Sequence, residues 1–223
     1  MKILAIDTSG ETLSVAISND LKIVAEYFYN AGKIHSDVII PLVNKILKDV
    51  NWELKDIDKF ALSCGPGSFT GIRVAMAVIK TLAQTLNKPV VCVDSLSVLE
   101  NQLKLKDVKV VAAIDALRDE VYVKQKKEVV ILSIEKFIKN LKKYKNKVFI
   151  IGNASMVYSK IFIKELGKQS VSLPQTLNYP KASTLCLMAH NVEGVNFAKI
   201  EPLYVRKSWA EEKNRQLKNY ELV

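Results

Sequence analysis

The sequence predicts an α/β protein made of two copies of a β-β-β-α-β-α unit with a cleft between them. Three observations carry this prediction. Short apolar runs of strand length come in threes, each triplet is followed by segments of helical periodicity, and the whole order restarts just past residue 105. The 223 residues therefore divide into two compact domains, 1–105 and a basic one at 106–223, with the last helix expected to fold back on the first domain.

In the first copy, "KILAID" (2–7), "TLSVAIS" (12–18) and "IVAEYFY" (23–29) are separated by "TSGE" and "NDLK", the pattern of an antiparallel three-strand meander. In "HSDVIIPLVNKILKDV", Val38, Leu42, Ile46 and Val50 recur every fourth residue beside Ile39, Val43 and Leu47. This is an amphipathic helix, with Ser36 as the expected N-cap and Pro41 in its early turns. A strand, "KFALSC" (59–64), leads through a glycine turn into a helix of about fifteen residues from Gly71, with Ile72, Ala75, Val78 or Ile79, Leu82 and Leu86 as its buried face. "PVVCVD" (89–94) is a buried strand, and Ser95 opens a short helix. The second copy has strands at 108–115, 120–127 and 129–132, a helix from Ser133 to Tyr144, a strand at 147–152 and helices at 154–166 and 182–193.

Composition narrows the class. Hydrophobic residues make up 49% and charged residues 25%, so the chain can bury a core and is not low-complexity. Cys64, Cys92 and Cys186 are an odd number without a C-x-x-C pair, which excludes a disulfide framework and a cysteine zinc site and suits a reducing cytoplasm. The N-terminus meets Asp7 before a signal core can form, and no apolar run reaches membrane-spanning length, so a cytoplasmic chain with no membrane contact is expected. The net charge is +10 and lies entirely in the second half: residues 1–105 hold 11 basic and 11 acidic residues, residues 106–223 hold 22 and 12. Such asymmetry suits a polyanion, with nucleic acid first, although a Lys-rich genome gives the same count.

Two short motifs could carry chemistry. "CGPGSFTGIRV" (64–74) resembles a phosphate loop but fits neither usual pattern. Gly65 and Gly71 are six apart and are followed by Ile72-Arg73 rather than Lys and Ser/Thr, and Gly65 and Gly67 are followed by Thr70 where a third glycine belongs. Gly65, Gly67 and Ser68 either cup an anion at a helix N-terminus or only let the strand turn tightly into the helix. Asp7, Thr8 and Ser9, at the end of the first strand, either hold a metal's water shell and phosphates or form an ordinary Asx turn. His35 and His190 are far apart and lack helical ligand spacing, so no metal site, protease site or self-contained catalytic residue is expected.

Several segments together, "ILAIDTSGETLSVAI", "HSDVIIPLV", "CGPGSFTGIRVAMAVIKTLA", "PVVCVDSL", "IDALRDEVYV" and "EPLYVRKSWAE", resemble the TsaB family over nearly the full chain, with GPGSFTG-[IVL]-R the most specific motif. The resemblance implies a two-domain actin-like ATPase (ribonuclease H-like) fold. It implies a non-catalytic subunit that forms a heterodimer with the paralogue TsaD and works with TsaE. Together they transfer threonylcarbamoyl from threonylcarbamoyl-AMP to the adenosine beside the anticodon of tRNA. ATP and metal act in those partners, this chain requires no cofactor, and tRNA is met through the complex. The family's contact maps to residues 36–49 and 71–86, with His35, Val38, Leu42, Gly71, Ile72, Arg73 and Val78 as interface residues, and isolated chains are expected to form homodimers through the same surface. The alternative is an ATP-dependent small-molecule kinase of this fold. Against it, Asp115 lacks the glycine of the usual D-x-G, and Gly152 stands without the second glycine such kinases place near adenine.

Overall fold

A computed structural model describes residues 1–30, 36–103, 108–167, 170–171 and 173–206. The first unit contains β1 (Lys2–Asp7), β2 (Leu13–Asn19), β3 (Lys22–Tyr29), α1 (Ser36–Asp49), β4 (Lys59–Ser63), α2 (Phe69–Leu86), β5 (Val90–Val93) and α3 (Ser95–Gln102). The second contains β6 (Lys109–Asp115), β7 (Glu120–Gln125), β8 (Glu128–Ser133), α4 (Ile134–Leu141), β9 (Val148–Ile151), α5 (Ala154–Val157), α6 (Ser159–Leu166), β10 (Ser170–Val171) and α7 (Ala182–His190). The sheets run β3-β2-β1-β4-β5 and β8-β7-β6-β9-β10. In each, an antiparallel hairpin continues into parallel strands, so the duplication read from element order is a duplication of topology. This is the actin-like arrangement.

The first sheet is covered on both faces, which is why its strands read as continuous apolar runs rather than strict alternation. Leu4 and Ile6 of β1 point towards α1 and α2, in a core with Ile39, Val43, Phe60 and Ile79. Ile3 and Ala5 point the other way, with Ala16 and Ala61, onto Leu185 and Cys186 of α7. The alanines admit that helix close to the sheet. A segment from the far end of the sequence thus completes the first unit's core, and the proposed boundary at 105 lies outside the described residues.

Both ends of α7 are held by the first sheet. At its N-terminus, Ala182 N donates to Ser14 Oγ at 2.9 Å, while Ser183 N and Oγ donate to the Glu26 carboxylate at 2.9 and 2.8 Å. At its C-terminus, the buried Lys59 Nζ donates to Ala189 O at 3.1 Å and Val192 O at 2.8 Å. Helix ends leave unpaired N–H and C=O groups, and a cap of this kind contributes roughly 1 kcal/mol. α3 joins the halves: its Val98 packs into the first unit, and its Leu96 and Leu99 pack against Ile114 and Ile151 of the second sheet.

Some boundaries differ from those read in the sequence. Ser36 is the first residue of α1 rather than its cap, and its hydroxyl bonds Asp37. α2 begins at Phe69, two residues before Gly71, because Ser68 caps it by accepting from Gly71 N. The 154–166 segment is two short helices broken at Tyr158, and α7 ends at His190. Among the described residues, no helix is long and apolar enough to cross a membrane.

Candidate functional site

The β1–β2 and β4–α2 loops of the first unit are locked together. Asp7, fully buried at the end of β1, accepts from Ser9 N at 3.0 Å, Ser9 Oγ at 3.0 Å and Ser63 Oγ. Burial disfavours its charge and pushes the carboxyl up to about 6, against the opposing pull of those hydrogen bonds. Thr8 Oγ1 donates to Gly71 O at 2.7 Å, and Ser68 N donates to Ser9 O at 2.7 Å. A Cβ at Gly67 would overlap Ser9 O, and one at Gly71 would overlap Thr8 O. These glycines are required because two backbones touch. The Asp7 carboxylate and the Thr8 and Ser9 hydroxyls are therefore engaged within the protein, while Ser68, whose hydroxyl accepts from Gly71 N, stays exposed at the cleft. Gly65, at φ +105, turns the chain above Ile72.

Between the two units lies a cleft of about 590 Å³, walled on one side by Ser9, Gly10, Glu11 and the start of α2 and on the other by Asp115, Leu117, Asn153 and Tyr179. Asp115 ends β6 as Asp7 ends β1. It accepts from Tyr158 Oη at 2.9 Å and Leu117 N at 3.0 Å. Burial, then this carboxylate, push the Tyr158 phenol up to about 12. Leu117, Arg118 and Asp119 all take left-handed backbone angles (φ 61°, 56° and 56°), in the turn where a kinase would carry glycine. Leu117, 68% exposed, lines the cleft. A Cβ on Gly152 would overlap Ala113 O, so this glycine too serves backbone packing.

These residues do not fit a nucleoside triphosphate with its metal. The hydroxyls of the first loop are engaged, an apolar side chain enters at the second, and among the described residues lining the cleft the charges are Glu11 and Asp115, both negative. Nor, among the described residues, do three His, Cys, Asp or Glu side chains gather as a metal site.

A feature the sequence showed only as part of a motif is the segment that straps the cleft's edge. Leu203 N donates to Cys64 O at 2.7 Å beside the glycine turn. Arg73 lies 3.8 Å over the Phe69 ring and donates from Nε to Tyr204 Oη at 2.8 Å, and Tyr204 packs on Phe69 with ring centroids 5.2 Å apart. Arg206 then reaches the second unit, bonding Ala116 O at 2.8 Å and the Glu120 carboxylate. Charge-assisted bonds of this type hold geometry well. Nothing in the periodicity of "PLYVR" signals such a strap, because it is neither helix nor strand.

The residues assigned to a partner surface fall into two groups. Val38 and Leu42 on α1 and Val78 on α2 are half-buried, packed on the core yet still partly open. Ile72 is 4% exposed and Gly71 is buried against Thr8, so neither has a face to offer; both sit in the first turn of α2, which points back at the glycine loop. Arg73 is exposed but already held by Tyr204. His35 lies outside the described residues. The sequence reading missed Val74, which with Val78, Leu82 and Leu86 forms a half-buried apolar row along α2 at four-residue spacing. That row, beside Val38 and Leu42, is an apolar seam on the helical face of the first unit.

The model of the family described as "TsaD: tRNA N6-adenosine threonylcarbamoyltransferase" matches residues 22–213. The tRNA threonylcarbamoyladenosine biosynthesis protein TsaB of Bacillus subtilis (strain 168) is 29% identical, over 96% of this chain and 97% of its own. The protein of the same name from Haemophilus influenzae is 30% identical, over 92% and 94%. A crystal structure from Pseudomonas aeruginosa, of an uncharacterized protein with similarity to peptidase YEAZ, superposes with a TM-score of 0.76 at 28% identity, covering 92% of this chain and 99% of that one. With a duplicated actin-like fold, a glycine turn locked onto the first hairpin and full-length similarity of this kind, the chain belongs to the TsaB family of tRNA threonylcarbamoyladenosine biosynthesis proteins.

Proposed function

We propose that this chain is a non-catalytic cytoplasmic subunit that binds and activates TsaD and, with TsaE, supports threonylcarbamoyl transfer from threonylcarbamoyl-AMP to the adenosine beside the tRNA anticodon. The observation that carries this reading is the apolar seam of Val38, Leu42, Val74, Val78, Leu82 and Leu86 on two adjacent helices. Side chains left half open after the core is complete are the surface that a partner helix pair would cover, and the same surface would pair two copies in TsaD's absence. The chain needs no cofactor of its own in this reading. ATP and metal belong to the partners, in keeping with a cleft whose first loop is internally satisfied.

The test is a Val78→Asp variant. A charge placed mid-seam faces desolvation without a counterion, and association with TsaD should weaken roughly 30-fold or more in a titration. Because Val78 is only half-buried, the circular dichroism spectrum should be retained. Unchanged affinity with the fold intact would reject the seam as the contact.

A further inference from the structure

We propose that the end of the second sheet remote from the cleft is a docking surface for the phosphate backbone of an RNA strand. β6 runs from Lys109 to Asp115, and Asp115 lines the cleft, so Lys109 stands about 20 Å away along the strand. Three segments bring lysines to that end: the start of β6, the β7–β8 turn and the loop from α4 to β9. β9 runs parallel to β6 with Val148 opposite Lys109, which places Lys147 beside it. β7 runs antiparallel, with Ala113 opposite Val123, so the β7–β8 turn returns Lys126 and Lys127 to the same end. The segment after α4 adds Lys143 and Lys145, and the intervening Tyr144 ring lies 5.9 Å from Lys109 Nζ.

The balance of charge there is one-sided. Lys124 and Lys142 are paired with Asp94 and Glu165, but Lys109, Lys126, Lys127, Lys143, Lys145 and Lys147 have no ion-pair partner among the described residues. All six are exposed. Glu128 is the one carboxylate among the described residues of these segments. A Lys-rich composition alone would scatter cations over the surface, with carboxylates among them; it does not gather six without ion-pair partners from three segments.

The shape also selects a partner. A groove of about 460 Å³ opens here, with Lys126, Lys143, Tyr144, Gln125 and Asn140 at its rim and an apolar floor that includes Val123. Phosphates need the ammonium groups, while an unstacked base needs a ring and amides at the same place, which Tyr144, Gln125 and Asn140 offer. A bilayer would instead require exposed large apolar side chains flanking the lysines. The choice of RNA over other polyanions rests on the function proposed above.

The test compares wild type with a Lys126→Gln, Lys143→Gln, Lys145→Gln, Lys147→Gln variant, using the full chain alone and with TsaD. The probes are unmodified tRNA and phosphatidylserine-containing vesicles. The proposal expects tRNA affinity to fall at least tenfold at low salt, and the slope of log K against log salt to shrink in magnitude by about 3. TsaD association and thermal stability should be retained, since these side chains are exposed and distant from the seam. Unchanged tRNA affinity and slope would overturn the proposal, and loss of vesicle binding without loss of tRNA binding would replace it with a membrane contact. TsaD association is read separately, so its failure would count against the subunit reading and not against this surface.

Discussion

A Gly67→Ala substitution should cost roughly 3 kcal/mol or more and lower the melting temperature by about 6–12 °C. The reason is local. Gly67 sits at φ +153, and its missing Cβ is the space occupied by the Ser9 carbonyl, which also accepts from Ser68 N. A methyl group there cannot be relieved by a rotamer change, because what it meets is backbone. The two loops must separate, breaking the Thr8–Gly71 and Ser68–Ser9 hydrogen bonds. Gly10→Ala is the control. Its Cβ would meet nothing nearer than Tyr179 at 3.5 Å, an ordinary contact, and the change should stay within about 0.5 kcal/mol. Thermal denaturation of the two variants decides the point. Equal stability would mean that the glycine turn does not depend on the contact.

Asp7 supplies the second large effect, and it depends on pH. Its folded-state carboxyl titrates at about 6, above its ordinary value of 3.8. The folded protein therefore holds the proton more tightly than the unfolded chain, and ionisation works against folding. The penalty is absent below about pH 4, grows as pH rises from 4 to 6, and is complete above 6, where the shift corresponds to about 3 kcal/mol. Asp7→Asn removes the titration. The stability difference between variant and wild type should thus move in the variant's favour by about 3 kcal/mol between pH 4 and pH 8, measured by urea unfolding. Taking the difference cancels the carboxylates Asp20, Asp49, Asp56 and Glu165, which are held below their usual range by neighbouring groups. A flat difference would contradict the dominance of burial over the hydrogen bonds to this carboxylate.

Asp7 and Gly67 also show how far the sequence could be read. The period-2 and period-3.6 patterns located the strands and helices of both units, because burial on a sheet face or helix face leaves that imprint wherever one side packs. The glycine spacing left two readings open, an anion cup at the helix N-terminus or a tight turn into the helix. What approaches was hidden, since a phosphate and another loop's carbonyl impose the same demand for a missing Cβ. Ser68 is likewise suited to bind an anion or to cap a helix, and only its position one residue before Phe69 decides for the cap. Long-range contacts left no local imprint at all. Lys59 reads as a surface lysine at the head of a strand, yet it is buried because α7, 130 residues later, brings the Ala189 carbonyl to it. The 203–206 strap has no period to find, whereas Ile72, which the helical period put on the buried face of α2, is buried.

The proposed role as a scaffold rests on where the structure commits its polar and apolar groups. The parts that catalysis would leave free, the first-loop hydroxyls and the Asp7 carboxylate, are committed to holding two loops together, and those loops launch α2 from a fixed point. Val74, Val78, Leu82 and Leu86 on that helix and Val38 and Leu42 on α1 are left partly uncovered. A rigid base under an incompletely buried apolar row is what presenting a surface to another protein requires.

The most direct measurement of that account is threonylcarbamoyl transfer to tRNA by TsaD and TsaE, assayed without this chain, with wild type, and with the Val78→Asp variant. The account predicts background modification without the chain, full modification with wild type, and background again with a folded Val78→Asp protein. Full modification in the chain's absence would contradict it.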